Sequence, residues 1–284
     1  MDVLNRHERE MLRRIQSYLH KGGDSGGVSE QVGTVDVYFH PKARDSVMNC
    51  VTPHQGVAWV NRDDLEDGLV ALERLGRTPR LIFLESLFPE AFQQQLHLSG
   101  LEYEAEQTVM VYEPLIGPAP AGETIFGRLP DDLPRDVEAH VAATWPQVEL
   151  WLQVFYAAHY NSHAPAVEPE VVDALLDEIE DGHVLCVQAS FQGTPLGVAQ
   201  VALHDDSAEF EGVETLPLWH GMGLEVGMIM IAVRETQARD YPVIFTVQPP
   251  GEFKRLYHRL GFVSLSRVLI YKRPDVCRLR CNPS

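Results

Sequence analysis

The stretch LPLWHGMGLEVGMIMIAV, Leu216–Val233, sets two glycines two residues apart, Gly221 and Gly223, where a long apolar run begins. The run is long enough for a helix, and glycines in front of a helix have two uses. They punctuate the chain, or they leave backbone N–H groups bare so that an anion can approach the positive end of the helix. Taken alone, the pair reads as a structural turn. Its neighbours in the chain decide between the two.

Upstream lies HVLCVQASFQGTPLGVAQVALHDDSAEFEGVET, His183–Thr215, which reads as three antiparallel strands joined by turns at Gln192–Pro195 and His204–Ser207. Downstream come a strand in PVIFTVQP (Pro242–Pro249), a helix in GEFKRLYHRLG (Gly251–Gly261) and a strand in SRVLIYKRP (Ser266–Pro274). Helices are expected over Asp132–Trp145 and Glu168–Gly182, ahead of the meander.

The first part of the chain follows a similar plan. An amphipathic helix opens it, with Val3, Leu4, Met11, Leu12, Ile15 and Leu19 on one side, and Lys21–Gly33 has the composition of a flexible loop. VDVYF (Val35–Phe39) and GVAWV (Gly56–Val60) read as strands, Arg62–Gly76 as a helix, RLIFL (Arg80–Leu84) as a buried strand, Pro89–Gly100 as a helix and Glu106–Pro114 as a strand. Three prolines and two glycines in EPLIGPAPAGET, Glu113–Thr124, mark a linker. Two domains follow, residues 1–117 and 118–284. They echo one another, since Phe92–Pro114 and Phe253–Pro274 share the order Phe, helix, Gly, apolar residue, strand, Tyr, Pro.

Composition narrows the partners. The 284 residues carry 41 acidic and 23 basic side chains, a net charge of −18 with no compensating basic block, so neither nucleic acid nor an anionic membrane is expected as a partner. The N-terminal residues lack the pattern of a secretory signal and no apolar run approaches the roughly 18 residues of a membrane span, so a cytoplasmic protein is expected. Cys50, Cys186, Cys277 and Cys281 form no Cys-x-x-Cys pair, and His159 and His163 share a helix face without the Glu of a zinc motif, so no metal is expected.

The strand EFEGVET, the segment PLWHGMGLEVG, the apolar helix, the next strand and LYHRLGF together resemble the acyl-CoA-binding core of the GNAT N-acyltransferase superfamily. The resemblance covers most of Gly122–Pro274 and extends more weakly over Val35–Pro114. It implies an α/β (α+β) fold of two tandem GNAT-like domains, each a mixed, mainly antiparallel sheet flanked by helices, the first a degenerate copy.

By that resemblance, Val213, Glu214 and Thr215 hold the pantetheine arm of acetyl-CoA, and His220, Gly221, Met222, Gly223, Leu224 and Glu225 hold its diphosphate. Two positions depart from the family pattern: His220 stands where Arg or Gln is usual, and Glu225 where Gly or Ala is usual. Glu225 either turns outward or competes with the ligand for the helix N–H groups. Tyr257 stands where the family has the tyrosine that faces the coenzyme sulfur; an aromatic packing residue is the plainer reading of the same position. The first copy has Leu96 there.

For the general base, Glu209 and Glu211 point to one face of their strand and Phe210 to the other, with His204 and Asp205 as weaker alternatives. The aromatic residues Trp145, Trp151, Phe155, Tyr156 and Tyr160 either line an acceptor groove, expected between the two copies and the first helices of the second, or form plain core. The resemblance therefore implies an acetyl-CoA-dependent N-acetyltransferase acting by direct attack on a primary amine of a small molecule or peptide, with a homodimer as a possible assembly. Its alternatives are a non-catalytic acyl-CoA sensor and a tandem acetyltransferase like mycothiol synthase.

Overall fold

Eleven strands and seven α-helices form in the computed structural model, which describes residues 4–21, 27–42, 49–113, 132–160, 166–248 and 251–274. The chain divides into two units that are not contiguous in sequence, Met1–Thr108 with Leu265–Ser284, and Val109–Ser264. The expected division at residue 117 follows the proline-rich stretch, of which 114–124 lie outside the described residues. Compactness instead follows the strands, because two long strands each begin in one unit and end in the other.

The first unit contains α1 (Arg6–Lys21), β1 (Val28–Val32), β2 (Val35–Phe39), β3 (Cys50–Pro53), α2 (Arg62–Arg74), β4 (Arg80–Leu84), α3 (Glu90–Leu98) and most of β5 (Glu102–Tyr112). Met11, Leu12 and Ile15 give α1 its buried side, while Val3 lies outside the described residues. Two expectations are corrected here. Val28–Val32 is not loop but a strand in an antiparallel hairpin with β2, turned at Gly33, whose φ of +56° suits glycine. Gly56–Val60 is turn rather than strand, with Gly56 at φ +83°; the strand is the preceding Cys50–Pro53, which a proline had disguised. Strands β3 and β4 are parallel and joined by α2, and β4 pairs antiparallel with the end of β11 (Phe262–Lys272). The strand order of this unit is β1-β2-β3-β4-β11-β5.

The second unit carries β6 (Val137–Val141), α4 (Trp145–His159), α5 (Pro169–Glu180), β7 (Val184–Phe191), β8 (Thr194–His204), β9 (Ser207–Thr215), α6 (Leu224–Ala238), β10 (Val243–Gln248) and α7 (Glu252–Arg259). Its order is β5-β10-β9-β8-β7-β6. The helix expected over Asp132–Trp145 is corrected: residues 137–141 pair antiparallel with β7 as an edge strand. Val-Glu-Ala-His-Val alternates with period two. Val137 and Ala139 lie against Gly227 of α6, where a Cβ would sit 2.9 Å from the Val137 side chain. The core of this unit runs from Leu185, Val187 and Val201 through Phe210 to Met228, Ile229, Tyr257 and Phe262.

Candidate active site

A β-bulge creates the site. Strand β9 pairs with β8 through Val201↔Phe210 and resumes at Gln200↔Gly212, which leaves Glu211 as the extra residue. At the same place the parallel pairing with β10 stops, its last rung being Thr246↔Phe210, although β9 continues to Thr215 and β10 to Gln248. The two parallel strands thus part, and the backbone of Gly212–Thr215 on that side has no rung with β10. This segment contains Val213, Glu214 and Thr215.

At the fork lies Tyr257. Its ring packs edge-on against Phe262 at 4.9 Å and Phe210 at 6.0 Å. The side chain is 0% exposed and, among the described residues, its hydroxyl has no hydrogen-bond partner of good geometry, although the Thr246 hydroxyl lies beside it. Burial raises the phenol pKa above its ordinary value of 10.0, opposed by the nearby Thr246 hydroxyl. That hydroxyl donates to the Phe210 carbonyl at 3.1 Å and accepts from Gln248 Nε2 at 2.7 Å. A buried hydroxyl without a partner costs about 1–3 kcal/mol. A phenylalanine ring would pack in the same place, so packing by itself does not account for the hydroxyl.

The glycine turn leads into α6. Gly221 and Gly223 have φ of +78° and +88°, the left-handed region that favours glycine. A Cβ on Gly221 would meet open space, whereas one on Gly223 would lie 2.8 Å from Pro134. Gly223 therefore serves close packing as well as the turn. No side chain caps α6 at Gly223, so its first N–H groups are free of the side-chain partner that commonly occupies this place. Met222 is 43% exposed. Leu224 is buried beneath the helix start.

Thr215 ties the ends of this segment together. His220 Nε2 donates to the Thr215 carbonyl at 3.1 Å, and the Thr215 hydroxyl donates to Glu225 Oε1 at 2.9 Å. Glu225 thus neither points outward to solvent nor folds back on the start of its own helix. It is buried and directed at β9.

A cavity of about 260 Å³ opens between α4, β8 and β9, lined by Trp151, Phe155 and His159 on one side and Val198, Gln200, Glu211, Gly212 and Glu214 on the other. Trp151, Phe155 and His159 form a continuous stack with ring centroids 5.4 Å apart at each step. Trp151 is also core, its indole N–H donating to the Val187 carbonyl at 3.0 Å. Trp145 donates to Asp173 at 2.8 Å, and Tyr156 stacks on Tyr160 at 6.1 Å; none of these three lines the cavity. His163 lies outside the described residues.

Gln200 Nε2 donates to Glu211 Oε2 at 2.6 Å. Although Glu211 reaches solvent, the crowding around its carboxyl raises its pKa above the ordinary 4.5, and the Gln200 bond opposes the shift. Glu214 lies 3.7 Å from His159 Nδ1. Glu209 does not line this cavity; it sits in the fully paired part of β9, opposite Ala202 and Phe245, while His204 ends β8 and Asp205 lies in the turn that follows. Gln200 was not singled out from the sequence, because its role depends on the cross-strand register. Cys50 and Cys186 are buried thiols pushed up to about 12. Cys277 and Cys281 lie outside the described residues.

Among solved structures, the chain is similar to a GCN5-related N-acetyltransferase from Kribbella flavida, with a TM-score of 0.66 and 17% identity over 93% of this chain and 96% of that one. One from Sphaerobacter thermophilus matches with a TM-score of 0.59 and 14% identity over 92% and 86% of the two chains. The fold is the GNAT fold. A tandem GNAT protein from the clavulanic acid biosynthesis pathway shares it too, with a TM-score of 0.57, 10% identity and 94% of each chain covered. No family model matches the sequence, and no curated protein does.

Proposed function

We propose that this chain is an N-acyltransferase of the GNAT superfamily that moves an acetyl group from acetyl-CoA to a primary amine of a small molecule or peptide. In this reading residues 118–284 are the catalytic copy and residues 1–117 a degenerate one, in a cytoplasmic protein that needs neither metal, membrane nor nucleic acid. The observation that carries it is the orphaned Tyr257 hydroxyl at the point where β9 and β10 part. Two further features support it, the uncapped start of α6 and the carboxylate-lined cavity on the other face of β9.

The main chain of Val213–Thr215 would hold the pantetheine arm, and the amides of Gly221 and Gly223–Glu225 the diphosphate, since the Met222 N–H already donates to the Trp219 carbonyl at 3.4 Å. Glu211 takes the proton from the acceptor's ammonium, and its raised pKa makes it a better match for that proton than an ordinary carboxylate. The freed amine attacks the thioester carbonyl, the N–C bond forms and the C–S bond breaks. Tyr257 gives its proton to the leaving sulfur, and the second proton lost by the nitrogen as it becomes an amide restores the phenol. Glu211 is favoured over Glu209 because only it lines the cavity.

A non-catalytic acyl-CoA sensor is the second reading, favoured by one observation: Tyr257 is wholly buried in the packed core. Thiol release from acetyl-CoA across a panel of amines separates the two. Amine-dependent release supports the enzyme; tight binding of acetyl-CoA without release on any amine supports the sensor. Absence of acetyl-CoA binding overturns both.

A further inference from the structure

The first unit holds a second cavity, of about 380 Å³, which the acyltransferase reading leaves without a purpose. Arg9, Arg13 and Gln16 of α1 line it, together with Gly56–Ala58 after β3 and Ser86–Pro89 after β4. It therefore opens beyond the carboxyl ends of two parallel strands, the place where open α/β sheets commonly receive ligands.

Positions 9, 13 and 16 follow one helical stripe, so both guanidinium groups serve the same hollow. Arg9 has no ion pair among the described residues, and the one ion pair of Arg13 is a 3.9 Å approach to Glu10 between largely exposed side chains. In a chain of net charge −18, a cavity bearing two arginines without a close carboxylate partner is out of keeping with its surroundings. Ser86 adds a hydroxyl. Its Oγ accepts from Ser266 Oγ at 3.0 Å, which leaves its own hydrogen for another acceptor. Leu87, Phe88, Pro89 and Val57 supply apolar wall.

We infer that this cavity binds a small phosphate monoester carrying an apolar group. A carboxylate satisfies one arginine fork, whereas the three free oxygens of a phosphate monoester match two guanidinium groups and a hydroxyl. The apolar wall takes the ester's carbon body. This site does not depend on the acyltransferase reading.

Phenyl phosphate and inorganic phosphate, titrated into the full-length protein by calorimetry at low ionic strength, provide the test. Phenyl phosphate binds saturably and more tightly than phosphate, and the double variant Arg9→Gln, Arg13→Gln weakens it by about tenfold or more while keeping its melting temperature. Acetyl-CoA affinity stays unchanged in that variant. No saturable binding of phenyl phosphate overturns the inference, as does binding that the double variant leaves intact. If acetyl-CoA affinity falls together with phenyl phosphate, the cavity serves the coenzyme instead and the inference is again overturned. Should the double variant fail to fold, Ser86→Ala gives the second reading: a severalfold loss confined to the phosphate ligands supports the site, and no change overturns it.

Discussion

Helices α2 and α6 each join a pair of parallel strands, yet they begin in opposite ways. Asn61 caps α2 with its side chain, accepting from the Asp63 N–H at 3.0 Å, and Asp63 and Asp64 add negative charge to the first turn. Asp64 is itself held by the Thr34 N–H and hydroxyl, both at 2.8 Å. Such a helix start is satisfied from within and repels a further anion. Helix α6 starts after two left-handed glycines with no side-chain cap, and its one acidic residue, Glu225, is turned to Thr215. The same contrast recurs one helix later. Leu96 on α3 and Tyr257 on α7 occupy matching positions and are both fully buried, but only the tyrosine carries a hydroxyl with no partner. The first helix start is thus closed by its own side chains, whereas the second is left without a side-chain cap, as the proposed coenzyme site requires.

The largest test of this contrast removes the chemistry and leaves the packing. Tyr257→Phe and Glu211→Gln should each lower kcat by about 10²–10⁴-fold, the range of general acid–base catalysis, with folding preserved. The phenylalanine variant loses a hydroxyl that has no partner to lose. The glutamine at 211 keeps the length of the side chain and an oxygen that can accept from Gln200 Nε2. Near wild-type turnover in both variants would reduce α7 and β9 to the packing role of their counterparts in the first unit.

Gly223→Ala comes next. Its φ of +88° and the 2.8 Å approach to Pro134 predict a loss of about 1–3 kcal/mol in denaturant unfolding, together with weaker acetyl-CoA binding by calorimetry. Asn61→Ala should cost about 1 kcal/mol in stability, from the lost cap, and leave acetyl-CoA turnover untouched. A turnover defect in a well-folded Asn61→Ala protein would break the division between a closed and an open copy. The smallest effect concerns pH. As the proposed base, Glu211 works in its ionised form, so kcat/KM should rise with pH through a limb displaced above the ordinary 4.5. Gln200→Leu removes the bond that opposes the shift and should move that limb further up, whereas Glu211→Gln should abolish it.

Much of this was legible along the chain. The three-strand meander, α2, α5, α6, α7 and β10 announced themselves through alternation, helical spacing and turn glycines, all of which are local. Errors fell where a distant partner decides. Val137–Val141 has short apolar spacing that suits either a helix or an edge strand, and pairing with β7 and contact with Gly227 settle it. Pro53 hid β3, and a glycine-rich composition hid β1.

Local patterns in the chain suffice for its alternating helices and strands and for a glycine turn before an apolar helix, because backbone conformation at glycine and side-chain periodicity are properties of neighbouring residues. Long-range contacts alone make Glu211 the bulged residue, set Gln200 against it, turn Glu225 to Thr215 and leave the Tyr257 hydroxyl without a partner of good geometry among the described residues. Each of those depends on cross-strand register and on packing between elements far apart in sequence, which no single stretch of the chain encodes.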